Sequence, residues 1–219
     1  MSLMKKLTAS MGALAFAVVM TAGVQGQFGK PGILDANIAP ESELLKMPHM
    51  TSAIVKGLIA ARNFATVVDL NKYLLGAGLT QAQAAEFYGR AFIHVNLNTG
   101  TREEFLLIPG SSAMWVREFN EYRPWTSFAQ FDKEIGKYTT PRNDAAVLDK
   151  FKQYLFIPID LNTAADADIM TIPGATNRHL RELKEYRPWK TKQQFEKEIG
   201  KYAWGQKEAD RLWRFVVIK

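Results

Sequence analysis

Read for its apolar positions, the chain is a succession of short helical patterns. Val116 and Phe119 share one face of a stretch that begins near Ser112, and Leu180 with Leu183 repeats that spacing later. Leu148, Phe151 and Leu155 recur at i, i+3 and i+7, which predicts a further helix. Polar signals bound these patterns. Thr101 to Glu104 has capping-box spacing and opens a short apolar helix that Pro109-Gly110 ends. Ser127 with Gln130 and Thr191 with Gln194 fit the same box, with Thr66 and Asp69 as a looser version, and the helices they open turn Phe128, Phe131 and Phe195 inward. Pro124 and Pro188 disfavour helical geometry at Arg123 and Arg187, so the preceding helices stop there. Phe156 to Ile159 and Phe215 to Ile218 read as β-rich tails.

These patterns repeat. Residues 121–138 (EYRPWTSFAQFDKEIGKY) return almost unchanged at 185–202, an offset of 64. The offset also carries Asn96-Leu97-Asn98-Thr99 onto Asp160-Leu161-Asn162-Thr163, Ile108-Pro109-Gly110 onto Ile172-Pro173-Gly174, and Leu148 and Phe151 onto Leu212 and Phe215. A fainter copy lies 61 residues upstream, with Asp35-Ala36-Asn37, Met47-Pro48-His49 and Arg62. Three copies at 35–95, 96–159 and 160–219 follow a lead-in at 27–34, expected to be flexible. Each copy reads as four short helices in two hairpins plus a β-rich tail. Tyr122, Trp125, Phe131, Ile135 and Tyr138 then recur as core-filling scaffold. Trp125 and Trp189 as exposed stacking platforms are the less favoured reading.

The N-terminus changes the compartment. Lys5 and Lys6, the apolar run Met11–Val24 and small residues at Val24-Gln25-Gly26 have the layout of a secretory signal peptide over 1–26, shorter than a bilayer span. An uncleaved anchor is the minority alternative. The mature chain is expected outside the cytoplasm, periplasmic or extracellular after cleavage near Gly26, with no further membrane span. With no cysteine, it has no disulfides, and packing must stabilise it. Loss of Lys5 and Lys6 leaves 26 bases against 22 acids, net +4, and only 160–219 leans basic, with 12 bases and 9 acids. That is a weak footprint for a partner that is a polyanion.

The order N-x-N-T, short helix, I/L-P-G, longer helix ending in Tyr-Arg, second hairpin resembles the ComEA-type double helix-hairpin-helix domain, and also the PsbU-type extrinsic subunit of photosystem II. The resemblance implies an all-α fold, a tandem array of three such units. It implies sequence-independent DNA binding in the first case and protein contact in the second. In DNA-binding members the hairpin loop, P-G-I-G, offers backbone amides at a helix N-terminus to a phosphate. Here Gly110-Ser111-Ser112 and Gly174-Ala175-Thr176 lack the second glycine, and the first copy has His49 in place of the first.

The strongest local case for phosphate contact is the third hairpin, where Arg178, Arg181, Lys184, Arg187, Lys190 and Lys192 follow the turn. A solvated helix face with Arg178–Glu182 and Arg181–Glu185 pairs fits the same residues. Catalysis has little support. His49, His94 and His179 fall in different contexts with no metal-ligand spacing, and His179 is expected on the surface. Glu103, Glu104, Asp166 and Asp168 are helix-start acids that favour the dipole. The sequence therefore predicts an exported, non-enzymatic binding protein with no cofactor or metal. A protein partner is favoured, and binding to the DNA backbone is the alternative.

Overall fold

In a computed structural model, residues 32–219 are described; the signal-peptide reading, over 1–26, lies outside them. The fold is predominantly helical. Among the described residues there are twelve short α-helices and three two-stranded parallel sheets. The first sheet pairs β1 (Leu34–Asp35) with β2 (Ala91–Phe92) and encloses α1 (Glu41–Leu44), α2 (Ser52–Ala61), α3 (Val67–Gly76) and α4 (Gln81–Tyr88). The second pairs β3 (Val95–Asn96) with β4 (Leu155–Phe156) around α5 (Arg102–Leu106), α6 (Ala113–Glu121), α7 (Phe128–Ile135) and α8 (Ala145–Lys152). The third pairs β5 (Ile159–Asp160) with β6 (Val216–Val217) around α9 (Asp166–Ile169), α10 (Asn177–Glu185), α11 (Lys192–Gly200) and α12 (Gly205–Trp213). We call these brackets segments 1, 2 and 3.

Capping chemistry starts the helices where the sequence placed them. Thr101 and Glu104 form a reciprocal box, and Thr66 with Asp69 forms a complete one. Ser127 and Thr191 cap their helices, but Gln130 and Gln194 reach back one residue further, to the amides of Thr126 and Lys190. The peptide bonds after Arg62, Arg123 and Arg187 are cis in all three segments.

The same buried scaffold recurs. Trp125 is 2 % exposed, and its indole N–H donates to the Phe119 carbonyl at 2.8 Å; Trp189 does the same to Leu183 at 2.7 Å. Both tryptophans are core residues, as favoured from sequence. Tyr122 and Tyr138 share a hydroxyl–hydroxyl hydrogen bond of 2.9 Å, and Tyr186 and Tyr202 one of 2.8 Å. The Tyr202 hydroxyl also donates to the buried Glu182 carboxylate. The duplicated phrase thus recurs because its two ends bond to each other.

Three expectations are corrected. Leu155 lies in β4, because α8 stops at Lys152. Leu148 and Phe151 do not match Leu212 and Phe215. The amides of Val95 and Ile159 bond the carbonyls of Tyr154 and Phe215, which makes those two residues equivalent and sets Phe151 opposite Leu212. Segment 2 carries three extra residues between Tyr138 and α8, shifting the register from 64 to 61. The lead-in is fastened at its end, since Leu34 pairs with Ala91 in β1.

One hydrophobic core runs through segments 1 and 2, while segment 3 has its own, joined by Phe156 of β4. The segments do not simply follow one another in a row. Segment 3 returns to segment 1, where Asn63 donates to the Lys207 carbonyl, Lys207 Nζ lies 3.4 Å from the Arg62 carbonyl, and Ile38 packs against Gly174.

Candidate functional site

The three first-hairpin turns share a backbone conformation. Gly110 and Gly174 have φ of 86° and 75°, and His49 holds the left-handed value of 64° without the freedom of glycine. For a residue with a side chain this costs about 1 kcal/mol, so the turn is demanded by the fold and is not specific to glycine. The next amide closes the turn upon itself: Ser111 N bonds Ile108 O, and Ala175 N bonds Ile172 O, both at 2.9 Å. That amide is therefore already engaged within the chain.

Each turn is also roofed by the fourth helix of its own segment, from a single equivalent position: Glu86, Lys150 and Arg211. Glu86 meets His49 Nε2 at 3.0 Å. Lys150 Nζ lies 3.0 Å from where a Cβ on Gly110 would stand. Arg211, 1 % exposed, donates to the Pro173 carbonyl at 2.6 Å and is clamped by both oxygens of Glu208 at 2.8 and 2.6 Å. Burial alone would raise the Glu208 pKa, but the hydrogen bonds from Arg211, with His179 Nε2 3.4 Å away, bring it down to about 2.

His179 is not a surface residue. It is 6 % exposed, stacks on Trp204 at 4.1 Å between centroids, and accepts the Thr176 amide on Nδ1 at 3.0 Å. A histidine at the third helical position closes the cap of α10 in place of Glu or Gln, which turns its ring inward. Ser112, by contrast, caps α6 without a side-chain bond.

The basic candidates separate by what holds them. Arg187 donates to the Ala164 carbonyl at 2.8 Å, as Arg123 does to Gly100 and Arg62 to Ala39, so it fastens the scaffold. Its recurrence at three equivalent positions was the signal for that role. Arg181 pairs with Glu182 at 2.8 Å and Lys184 with Asp166 at 2.6 Å, in place of the expected Arg178–Glu182 and Arg181–Glu185 pairs. Lys192 pairs with Glu196 at 3.0 Å. Arg178 lies over Trp204 and Tyr202 at 4.9 and 5.2 Å, and Lys190 is exposed. Gly110, Ser112, Gly174 and Thr176 face solvent at their turns, while Ser111 and Ala175 are half-buried.

Glu86, Lys150 and Arg211 are the residues that sequence reading missed. They differ in charge, and the three-residue insertion hides their equivalence. Among the described residues, no group of three or more His, Asp or Glu could hold a metal ion, and no helix is long and apolar enough to cross a membrane. No protein-family model, no curated protein and no solved structure matches the chain.

Proposed function

We propose that this is an exported, non-enzymatic protein built as three tandem helix-hairpin-helix units over 35–95, 96–159 and 160–219, and that it works as a scaffold or subunit contacting other proteins. The observation that carries this reading is the roofed turn. A phosphate approaching the first turn meets the Glu86 carboxylate, and one approaching the third meets a carbonyl already bonded to Arg211. Large apolar side chains flank the second turn instead, with Leu106 and Met114 both exposed, which suits a protein surface better than a polyanion.

The alternative is sequence-independent DNA binding. It is favoured by one arrangement: Lys150 beside the uncapped α6 start, with Arg178, Arg181, Lys184 and Lys190 exposed in segment 3. Fluorescence anisotropy with a labelled mixed-sequence duplex, at low and at physiological salt, separates the two. A protein-binding scaffold leaves the anisotropy flat at physiological salt. Binding there that weakens with added salt, and weakens further in an Arg178→Ala/Arg181→Ala/Lys184→Ala variant, would put the DNA reading first.

A further inference from the structure

The junctions between successive segments are built alike, and one of them is filled by the chain itself. At the junction of segments 1 and 2, Arg214 from the end of α12 donates to the His94 carbonyl at 3.2 Å. The residue is half-buried, and the charges of Asp35, Glu104 and Asp69 favour its cationic form. Burial holds its pKa below the ordinary value, Asp35 foremost opposes this, and Arg211 adds to it.

The junction of segments 2 and 3 has the corresponding parts. Asn96 stands where Asp35 stands, Pro158 where His94 stands, Asp160 where Asn96 stands and Asp168 where Glu104 stands. Acidic residues therefore stand at both junctions, Asp35, Glu104 and Asp69 about Arg214 in one, Asp160 and Asp168 in the other. In place of an inserted arginine, the second junction has a cleft of about 380 Å³, lined by Asn98, Trp125, Pro158, Asp160 and Asp168 among others. The space accommodates a guanidinium with its methylene stem. The walls offer the remaining lone pairs of the Asp160 and Asp168 carboxylates, which already accept from Asn162, Thr163 and Ala165, to the planar N–H groups, and apolar surface to the stem.

We infer that this cleft receives an arginine side chain presented by another polypeptide, in the way the first junction receives Arg214. Arginine fits better than lysine, because a planar fork of N–H donors can reach more than one acceptor at a time. Lys219 also lines the cleft. This surface is separate from the hairpin turns, so the inference holds whether or not the turns meet DNA.

The test is a titration of the ¹⁵N-labelled full chain with N-acetyl-L-arginine amide, followed by amide shifts. N-acetyl-citrulline amide serves as the uncharged isostere. The expected result is saturable shifts at Asn98, Thr99 and Thr163, absent with citrulline and weakened about fivefold in Asp168→Asn. A folded control is built in, because the shifts of α10–α12 amides report whether segment 3, which has its own core, retains its structure in the variant. No saturable shift at the cleft would overturn the inference. So would equal shifts with citrulline, or an unchanged affinity in folded Asp168→Asn. The duplex-binding result for the turns bears on none of these outcomes.

Discussion

Asn98 holds the backbone of Trp125 at two points: its Oδ1 accepts the Trp125 amide at 2.6 Å, and its Nδ2 donates to the Trp125 carbonyl at 2.9 Å. Asn162 does the same to Trp189 at 2.7 and 3.0 Å, and Asn37 to Phe64 at 2.8 and 3.0 Å. The second asparagine of the N-x-N-T signature is therefore a clamp across 27 residues, tying the start of each segment to the entry of its third helix. The residue named by the family resemblance has a structural duty here, whatever the partner.

Replacing Asn98 by Ala removes both bonds and leaves two backbone groups of Trp125 without partners. The expected loss is about 2 kcal/mol, read as a lower urea midpoint with an unchanged slope. Asn162→Ala should lose a similar amount. A loss below about 0.5 kcal/mol in both would show that water replaces the clamp at no cost.

Alkaline titration should reveal the tyrosine pairs. Tyr202 is held above the ordinary tyrosine range by its bond to Glu182 and then to Tyr186, and Tyr138 by Tyr122 and then Glu118. Burial raises Tyr73, Tyr88 and Tyr154 in the same direction. A raised tyrosine pKa means the unfolded chain ionises first, so stability is complete below pH 10 and declines above it. Absorbance at 295 nm should rise late and together with unfolding. A full rise around pH 10 in a still-folded protein would contradict these contacts.

On the acid side, His94 gives the opposite slope. Burial holds its pKa below the ordinary 6.5; Asp35 opposes this, Arg214 reinforces it and a bond with the Gln153 backbone opposes it again. The unfolded chain then takes up the proton first, so stability should decline as the pH falls below about 6.5. His94→Gln should flatten the stability profile between about pH 6.5 and 5. An unchanged slope in the variant would place the acid sensitivity elsewhere.

Glu208 is depressed in the folded state, so its contribution is complete above its ordinary 4.5 and is lost as the pH falls toward about 2. Glu208→Gln should cost about 1 kcal/mol at neutral pH, a modest figure because solvent screens part of the carboxylate. The difference from the parent should shrink below pH 4.5. Thermal melts at pH 7 and pH 3 measure both; a constant difference would mean that the charge of Glu208 is not what holds Arg211.

Much was determined by local sequence. Thr101 with Glu104 and Thr66 with Asp69 start helices by bonds within a few residues, and the prolines after Arg123 and Arg187 stop them by a clash with the preceding residue, so all act before any tertiary contact exists. Burial of Trp125 and Trp189 was legible for a related reason, since a small unit that repeats its large aromatics needs them for its core. What tertiary structure decided were contacts between positions far apart in sequence. No periodicity places Arg211 over Pro173, stacks His179 on Trp204, or inserts Arg214 between segments 1 and 2. A charged side chain carries no mark of whether it will meet water or a carbonyl dozens of residues away; only the packing of one helix hairpin on another brings that carbonyl within reach.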